Sequence, residues 1–295
     1  MSKKFIGALE AGGTKMVCAV GDINGNIIDK VRIPTTTPDE TLRCCFDYFL
    51  EKNIDALGIA SFGPLDLNIN SDTYGYITTT PKPGWQFTDL VGMASKALDV
   101  PIGFDTDVNG SLLGEVTFGD ARGFSDVVYY TFGTGVGVGV MSGGRLVHGM
   151  MHPEAGHMLV LPRDDDRYHG HCSFHRFCLE GMASGPAIEE RFGEKGELLS
   201  ERMDVWELES FYIAQAMVNT ILMLSPQRII LGGGVMEQRS LFPLIREKTS
   251  AFLNGYINTK EISDIDSYIV PASLNGDQGI KGCFKLALDS VKYAE

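Results

Sequence analysis

One short pattern is written twice in this chain: an apolar strand, a glycine turn, a second strand, another turn and a third strand. FIGALEA and MVCAVGD flank Gly12-Gly13-Thr14-Lys15, and Asn24-Gly25 is a strong hairpin signal leading into IIDKVRI. The pattern restarts where DVVYYTF and VGVGVMS flank Gly133-Thr134-Gly135 and Gly143-Gly144-Arg145 turns into LVHG. The copies stand about 125 residues apart, the spacing at which chains divide into domains. Two similar α/β domains facing each other are the arrangement this repetition predicts.

Other segments fit that frame. Leu42, Phe46 and Phe49 share one face of a helix expected over 38–52. DALGIAS and PIGFDTD read as buried strands, and the second ends on acids. A long helix is expected over 204–224. QRIILGGGV reads as a buried strand running into three glycines, SYIVPA as a last strand, and GDQGIKGCFKLALDSV as a closing helix. With no Pro/Ser-rich linker to mark it, the boundary falls near residues 115–125. The division expected is a smaller N-terminal domain over 1–118, with a helix over about 277–295 packing back on it, and a larger C-terminal domain over 119–276.

Composition narrows the function classes. The 295 residues carry 25 basic and 38 acidic side chains, a net charge of −13, which argues against a nucleic-acid surface built on clustered Lys and Arg. A phosphate-bearing small molecule is still allowed, because backbone N–H groups, one lysine and a divalent cation can hold it. No apolar run is long enough for a membrane span, and Met1-Ser2-Lys3-Lys4 leads straight into a strand without a signal-peptide core. A cytoplasmic location is expected. Six cysteines in a reducing compartment read as metal ligands or free thiols before disulfides.

The glycine turns carry the phosphate reading. Gly12-Gly13-Thr14-Lys15 precedes a strand, so it is not a P-loop, which needs a following helix. A glycine hairpin tip still turns several N–H groups inward, although an ordinary hairpin needs glycine too. Gly133, Gly135, Gly137 and Gly139 strip one face of a strand pair of side chains, which weakens it unless a backbone or ligand packs there. Gly232-Gly233-Gly234 after a buried strand resembles a strand-to-helix turn that contacts a nucleotide. Together the three sites point to a nucleotide cleft.

Two further constellations carry chemistry. FDTDVNG sets Asp105, Asp107 and Asn109 at a strand end, where a carboxylate can take a proton from a substrate hydroxyl or cap a helix. HCSFHRFCLE spaces Cys172, His175 and Cys178 three apart, three ligands of a tetrahedral zinc site. The fourth ligand is open among His148, His152, His157, His169 and His171. His171 adjoins Cys172 and would be strained, whereas the 14 residues between His157 and Cys172 let a loop fold back. A closed site of this kind orients neighbouring carboxylates without entering the reaction.

Taken together, EAGGTK, DTDVNG, GTGVGVG, HPEAGH, the Cys/His segment and LGGGV resemble the ROK family of sugar kinases over nearly the whole chain. TTPKPGW, EAGGTK and the zinc segment are similar to the bacterial fructokinase branch. The resemblance implies a two-domain actin-like ATPase fold (ribonuclease H-like) with a cleft between domains, and ATP-dependent phosphorylation of a hexose, D-fructose first. It implies Asp107 as the base, Gly12, Gly13, Thr14 and Lys15 as the first phosphate loop, Gly133, Thr134, Gly135 and Gly137 as the second, and Gly233 at the nucleotide. Glu154, His157 and Glu180 are the implied sugar contacts, with His157, Cys172, His175 and Cys178 on structural Zn²⁺. Mg²⁺ near Glu10 or Asp107 and a homodimer are implied as well. Glu10 stands where the family usually has Asp, and Thr106 where many hexose-binding members have Asn. The rival readings are a glucokinase, mannokinase or broad hexokinase, and a catalytically silent sugar sensor.

Overall fold

The computed structural model describes residues 5–294 and resolves into two compact units. The leader Met1-Ser2-Lys3-Lys4 and Glu295, at the end of the expected closing helix, lie outside the described residues. One unit takes the chain through Gly123, the strap Val147–His152 and everything from Ser273 on; the other takes Phe124–Leu146 and Pro153–Ala272.

In the first unit, β1 (Ile6–Ala11), β2 (Lys15–Gly21) and β3 (Ile27–Pro34) form an antiparallel meander whose first link is the Gly12–Thr14 turn. Helix α1 (Pro38–Lys52) starts on Pro38 with Asp39 and Glu40 in its first turn. Those acids complement the positive end of the helix dipole. It stops where Asn53 takes a left-handed conformation. Leu42, Cys45, Phe46 and Phe49 recur at three- and four-residue intervals and are buried. Each large side chain of that stripe contributes about 1.5–3 kcal/mol by leaving water. Strand β4 (Ala56–Ser61) joins β1 in parallel. A short pair, β5 (Tyr76–Ile77) and β6 (Thr88–Asp89), leads to helix α2 (Leu90–Leu98). Strand β7 (Ile102–Thr106) pairs with β4, giving the order β3-β2-β1-β4-β7, and runs directly into helix α3 (Asp107–Phe118).

The second unit repeats the plan. Strands β8 (Val127–Phe132), β9 (Val136–Ser142) and β10 (Arg145–Leu146) form the meander. Helices α4 (Leu179–Ala183), α5 (Gly185–Phe192) and α6 (Met203–Leu224) follow the long loop after the strap. Strand β11 (Arg228–Gly232) adds in parallel to β8. After α7 (Leu241–Leu253), α8 (Lys260–Ser263) and α9 (Ile265–Tyr268), strand β12 (Ile269–Pro271) closes the order β10-β9-β8-β11-β12. The last helix, α10 (Gln278–Ala294), packs on α3, β4 and β1 of the first unit.

Several elements differ from the sequence expectations. SYIVPA yields only three strand residues because Tyr268 ends α9, with its hydroxyl donating to the Pro226 carbonyl. LVHG contributes Leu146 alone to a strand. Helices α2 and α3 were not marked by periodicity; α3 buries Asn109 and Glu115 with its apolar residues, which blurs its stripe. No helix among the described residues is long and apolar enough to cross a membrane.

Candidate active site and metal centre

In the first unit the chemistry gathers at the C-terminal ends of β1 and β7. Thr106 caps α3: its hydroxyl accepts the Asn109 N–H at 3.1 Å. Capping therefore falls to Thr106 and not to Asp107, the first helical residue. Asp107 Oδ1 accepts the Val108 N–H at 2.9 Å. Loss of water around the carboxyl outweighs that bond and a second backbone contact, and pushes Asp107 up to about 6. Glu10, near the end of β1, is pushed up to about 7, first by burial and then by the negative charge of Asp107, against the pull of Lys15. The hairpin tip beside it exposes Gly13, Thr14 and Lys15, while the Gly12 N–H closes the turn on the Lys15 carbonyl at 3.1 Å. Asp107, Glu10 and Lys15 thus form one interacting set.

The second glycine turn lies between β8 and β9. The Gly133 carbonyl accepts the Gly185 N–H at 2.7 Å, which docks the start of α5 on the turn. Ser184 caps that helix, and Pro186 sits in its first turn, where its missing N–H costs nothing. Gly233 adopts φ +89°, and a Cβ there would overlap the backbone of Phe132, so only glycine fits. A cavity of about 590 Å³ opens between these turns, lined among others by Gly133, Thr134, Pro186, Lys195, Val235 and Gln238. Gly233 is one residue from its wall at Gly234. The size suits a nucleoside. Sequence reasoning missed the α5 side of this wall and Lys195. The Ser-Gly-Pro helix start was readable, but nothing local said that it meets the glycine turn.

The metal question has a geometric answer. One donor atom from each of His157, Cys172, His175 and Cys178 lies within 4.8 Å of all the others. Cys172 Sγ is 3.7 Å from His157 Nδ1 and 3.7 Å from His175 Nδ1, and Cys178 Sγ is 3.6 Å from His157 Nδ1. A zinc ion about 2.3 Å from sulfur and about 2.0 Å from nitrogen at tetrahedral angles sets such S···N edges at about 3.5 Å. The donor set and its spacing therefore fit Zn²⁺. The other candidate histidines are engaged elsewhere: His148 with Asp105, His152 with the Leu65 N–H, His169 with Arg176 and His171 with Glu190.

The cluster orients its neighbours. Cys178 caps α4, which places Glu180 one residue into that helix. Glu180 Oε2 accepts the Val136 N–H at 3.0 Å, and Oε1 lies 4.0 Å from His157 Nε2. Gly156 lets the 155–157 turn press against β9, where a Cβ would overlap the Val136 carbonyl. Glu154, exposed, precedes this turn, and its carbonyl accepts the His157 N–H at 2.9 Å. So His157, Glu180 and the Gly133–Gly137 turn are held together with the four metal ligands.

Comparison with known proteins follows the same lines. The ROK family model matches residues 6–290. A fructokinase of Pediococcus pentosaceus is 47% identical over 292 residues, covering 98% of this chain and 100% of its own. A fructokinase of Streptococcus mutans is 45% identical over 291 residues, covering 96% and 97%. Among solved structures, a ROK family glucokinase from Streptomyces griseus, in complex with glucose and AMPPNP, superposes with a TM-score of 0.75 at 22% identity, covering 98% of this chain and 100% of that one.

Proposed function

The chain belongs to the ROK family, and from that premise we propose that it is an ATP-dependent fructokinase, transferring the γ-phosphoryl group of ATP to the 6-hydroxyl of D-fructose. The observation that carries the reading is the identity of 45–47% with fructokinases from end to end. The actin-like ATPase fold, seen in the paired sheets and shared with the glucokinase structure, is consistent with it.

Asp107 is the general base. Its Oδ1 is occupied by the Val108 N–H, which leaves Oδ2 to take the proton of the attacking hydroxyl. As the sugar oxygen bonds to the γ-phosphorus, the bond from that phosphorus to the β–γ bridging oxygen breaks and ADP leaves. A carboxyl held near 6 is ionised at neutral pH yet basic enough to share the proton in the transition state. The tips of the two glycine turns, Gly13-Thr14 and Thr134-Gly135, present N–H groups, and Lys15 a charge, to the phosphates, while the N–H groups of Gly12, Gly133 and Val136 close the turns and hold Glu180. The cavity lined by Gly133, Thr134 and Val235 takes the nucleoside, with Gly233 shaping its wall. Glu154, His157 and Glu180 hold sugar hydroxyls.

Glu10 and Asp107 form a crowded pair of carboxylates, a donor set that suits the hard cation Mg²⁺. Mg²⁺, bound with ATP, supplies charge neutralisation on the phosphates. Zn²⁺ on His157, Cys172, His175 and Cys178 is structural and fixes His157 and Glu180. The family resemblance implies a homodimer, and that is the assembly in which the protein is read to work.

A coupled ADP-release assay with Mg²⁺-ATP and fructose, mannose, glucose, N-acetylglucosamine and N-acetylmannosamine tests the reading. Fructose is expected to give the highest kcat/KM. Preference for an aldohexose would remove the substrate assignment and keep the kinase, and no turnover on any sugar would remove the kinase.

A further inference from the structure

Beside the proposed base, Asp105, Thr106 and Asn109 are all buried. Thr106 is buried, and its hydroxyl is occupied as the cap of α3. Asn109 is buried, and its amide donates to Asp105 Oδ1 at 2.7 Å. Asp105, buried as well, accepts the Thr106 N–H through the same oxygen at 2.8 Å. Its other oxygen, Oδ2, lies 3.0 Å from His148 Nε2. The imidazole also comes within 3.4 Å of the Asn109 amide, in the same first helical turn as Asp107.

His148 stands apart from these groups. It comes from the strap Val147–His152, the part of the intervening chain that clusters with the first unit. The strap is tied at its far end by His152, whose Nε2 accepts the Leu65 N–H at 3.1 Å. The His148 side chain keeps 37% of its surface exposed. Asp105 fixes which ring nitrogen faces inward, so Nδ1 is the outward polar atom, and it makes no hydrogen bond among the described residues. A carboxylate that orients one imidazole nitrogen while the other meets a ligand is a common way to hold a histidine ready.

We propose that His148 is a sugar-recognising residue of the kinase reaction: Asp105 holds its Nε2–H, and Nδ1 hydrogen-bonds a hydroxyl of the ketohexose whose reacting oxygen meets Asp107. This rests on the fructokinase reading and adds a specificity contact to it. Asp105 and Asn109 are its positioning residues, with no substrate contact of their own.

The test measures fructose binding by calorimetry, and KM for fructose and ATP by coupled assay, on the zinc-loaded enzyme and its His148→Ala and His148→Gln variants. Loss of one hydrogen bond is expected to weaken fructose binding and raise its KM about tenfold in His148→Ala. ATP KM and the thermal midpoint should stay near wild type, and Gln should recover part of the loss. Unchanged fructose affinity, or an equal rise in both KM values, would overturn the proposal. If His148→Ala does not fold, His148→Gln and Asp105→Asn serve as the readout, and wild-type fructose affinity in both would overturn it. If the wild type prefers another hexose, the fructose assignment falls by itself and the same variants decide His148 on that sugar. A wild type that binds no hexose would remove both ideas.

Discussion

Asp107 and its neighbours show how much a single turn decides. The sequence DTDVN allows either acid to cap a helix or to serve as a base. The structure gives the cap to Thr106 and buries Asp105 under Asn109 and His148, which leaves Asp107 with a free carboxylate oxygen. Such a division of labour among three adjacent residues was not readable, because Asp, Thr and Asn are all good caps. The raised pKa of Asp107 makes a pH prediction. The base acts only when ionised, so kcat/KM for the sugar should fall tenfold per unit as pH drops below about 6 and stay level above it. Asp107→Asn should lose roughly 10²- to 10⁴-fold in kcat with little change in ATP affinity. A pH–rate profile with no acid limb near 6, or an Asn variant with near-normal turnover, would take the role of base away from Asp107.

At the scale of elements, the fold was legible where local signals agree. The two strand–glycine–strand patterns, the helix over 38–52 with its Leu42, Phe46 and Phe49 face, and the glycine break after β11 all appear because turn chemistry and periodicity point the same way. What stayed hidden depends on distant partners. Five histidines competed for the fourth metal position, and spacing alone only favoured His157. The structure separates them through Asp105, the Leu65 N–H, Arg176 and Glu190, none of which lies next to its histidine in sequence. The loop from Met158 to Cys178 has almost no regular structure of its own; its first half is tied to α6 through Leu161 with Gln215 and Asp166 with Tyr212, and its second half carries three of the four ligands, with His171 on Glu190. Protein purified without added metal is therefore expected to carry about one zinc per chain by elemental analysis. Chelation should open this loop to limited proteolysis and raise the sugar KM, because His157 and Glu180 lose their support. A chelated protein with no zinc, unchanged protection and unchanged KM would show that the cluster supports nothing.

For the molecule as a whole, the site opposes stability. A buried carboxyl that ionises late costs the folded state, and Glu10 is such a group, held up to about 7 by burial and by Asp107. Its folded value lies above its unfolded one, so the folded chain binds more protons between about 4.5 and about 7. Over that window Glu10 removes stability as pH rises, and above it the loss is complete. The full shift corresponds to at most roughly 3 kcal/mol, a sizeable share of what a domain has to spare. Glu10→Gln should then raise the thermal midpoint at pH 8, by several degrees, and leave it almost unchanged at pH 4.5. The same variant should bind Mg²⁺-ATP less well if the pair of carboxylates attends the cation. Wild-type protein should recover part of the difference at pH 8 when Mg²⁺-ATP is added, since a bound cation offsets the repulsion that the free protein carries. A Gln variant that is no more stable at pH 8 than at pH 4.5, relative to wild type, would mean that Glu10 is not strained in the folded chain, and its place beside Asp107 would then need another reason.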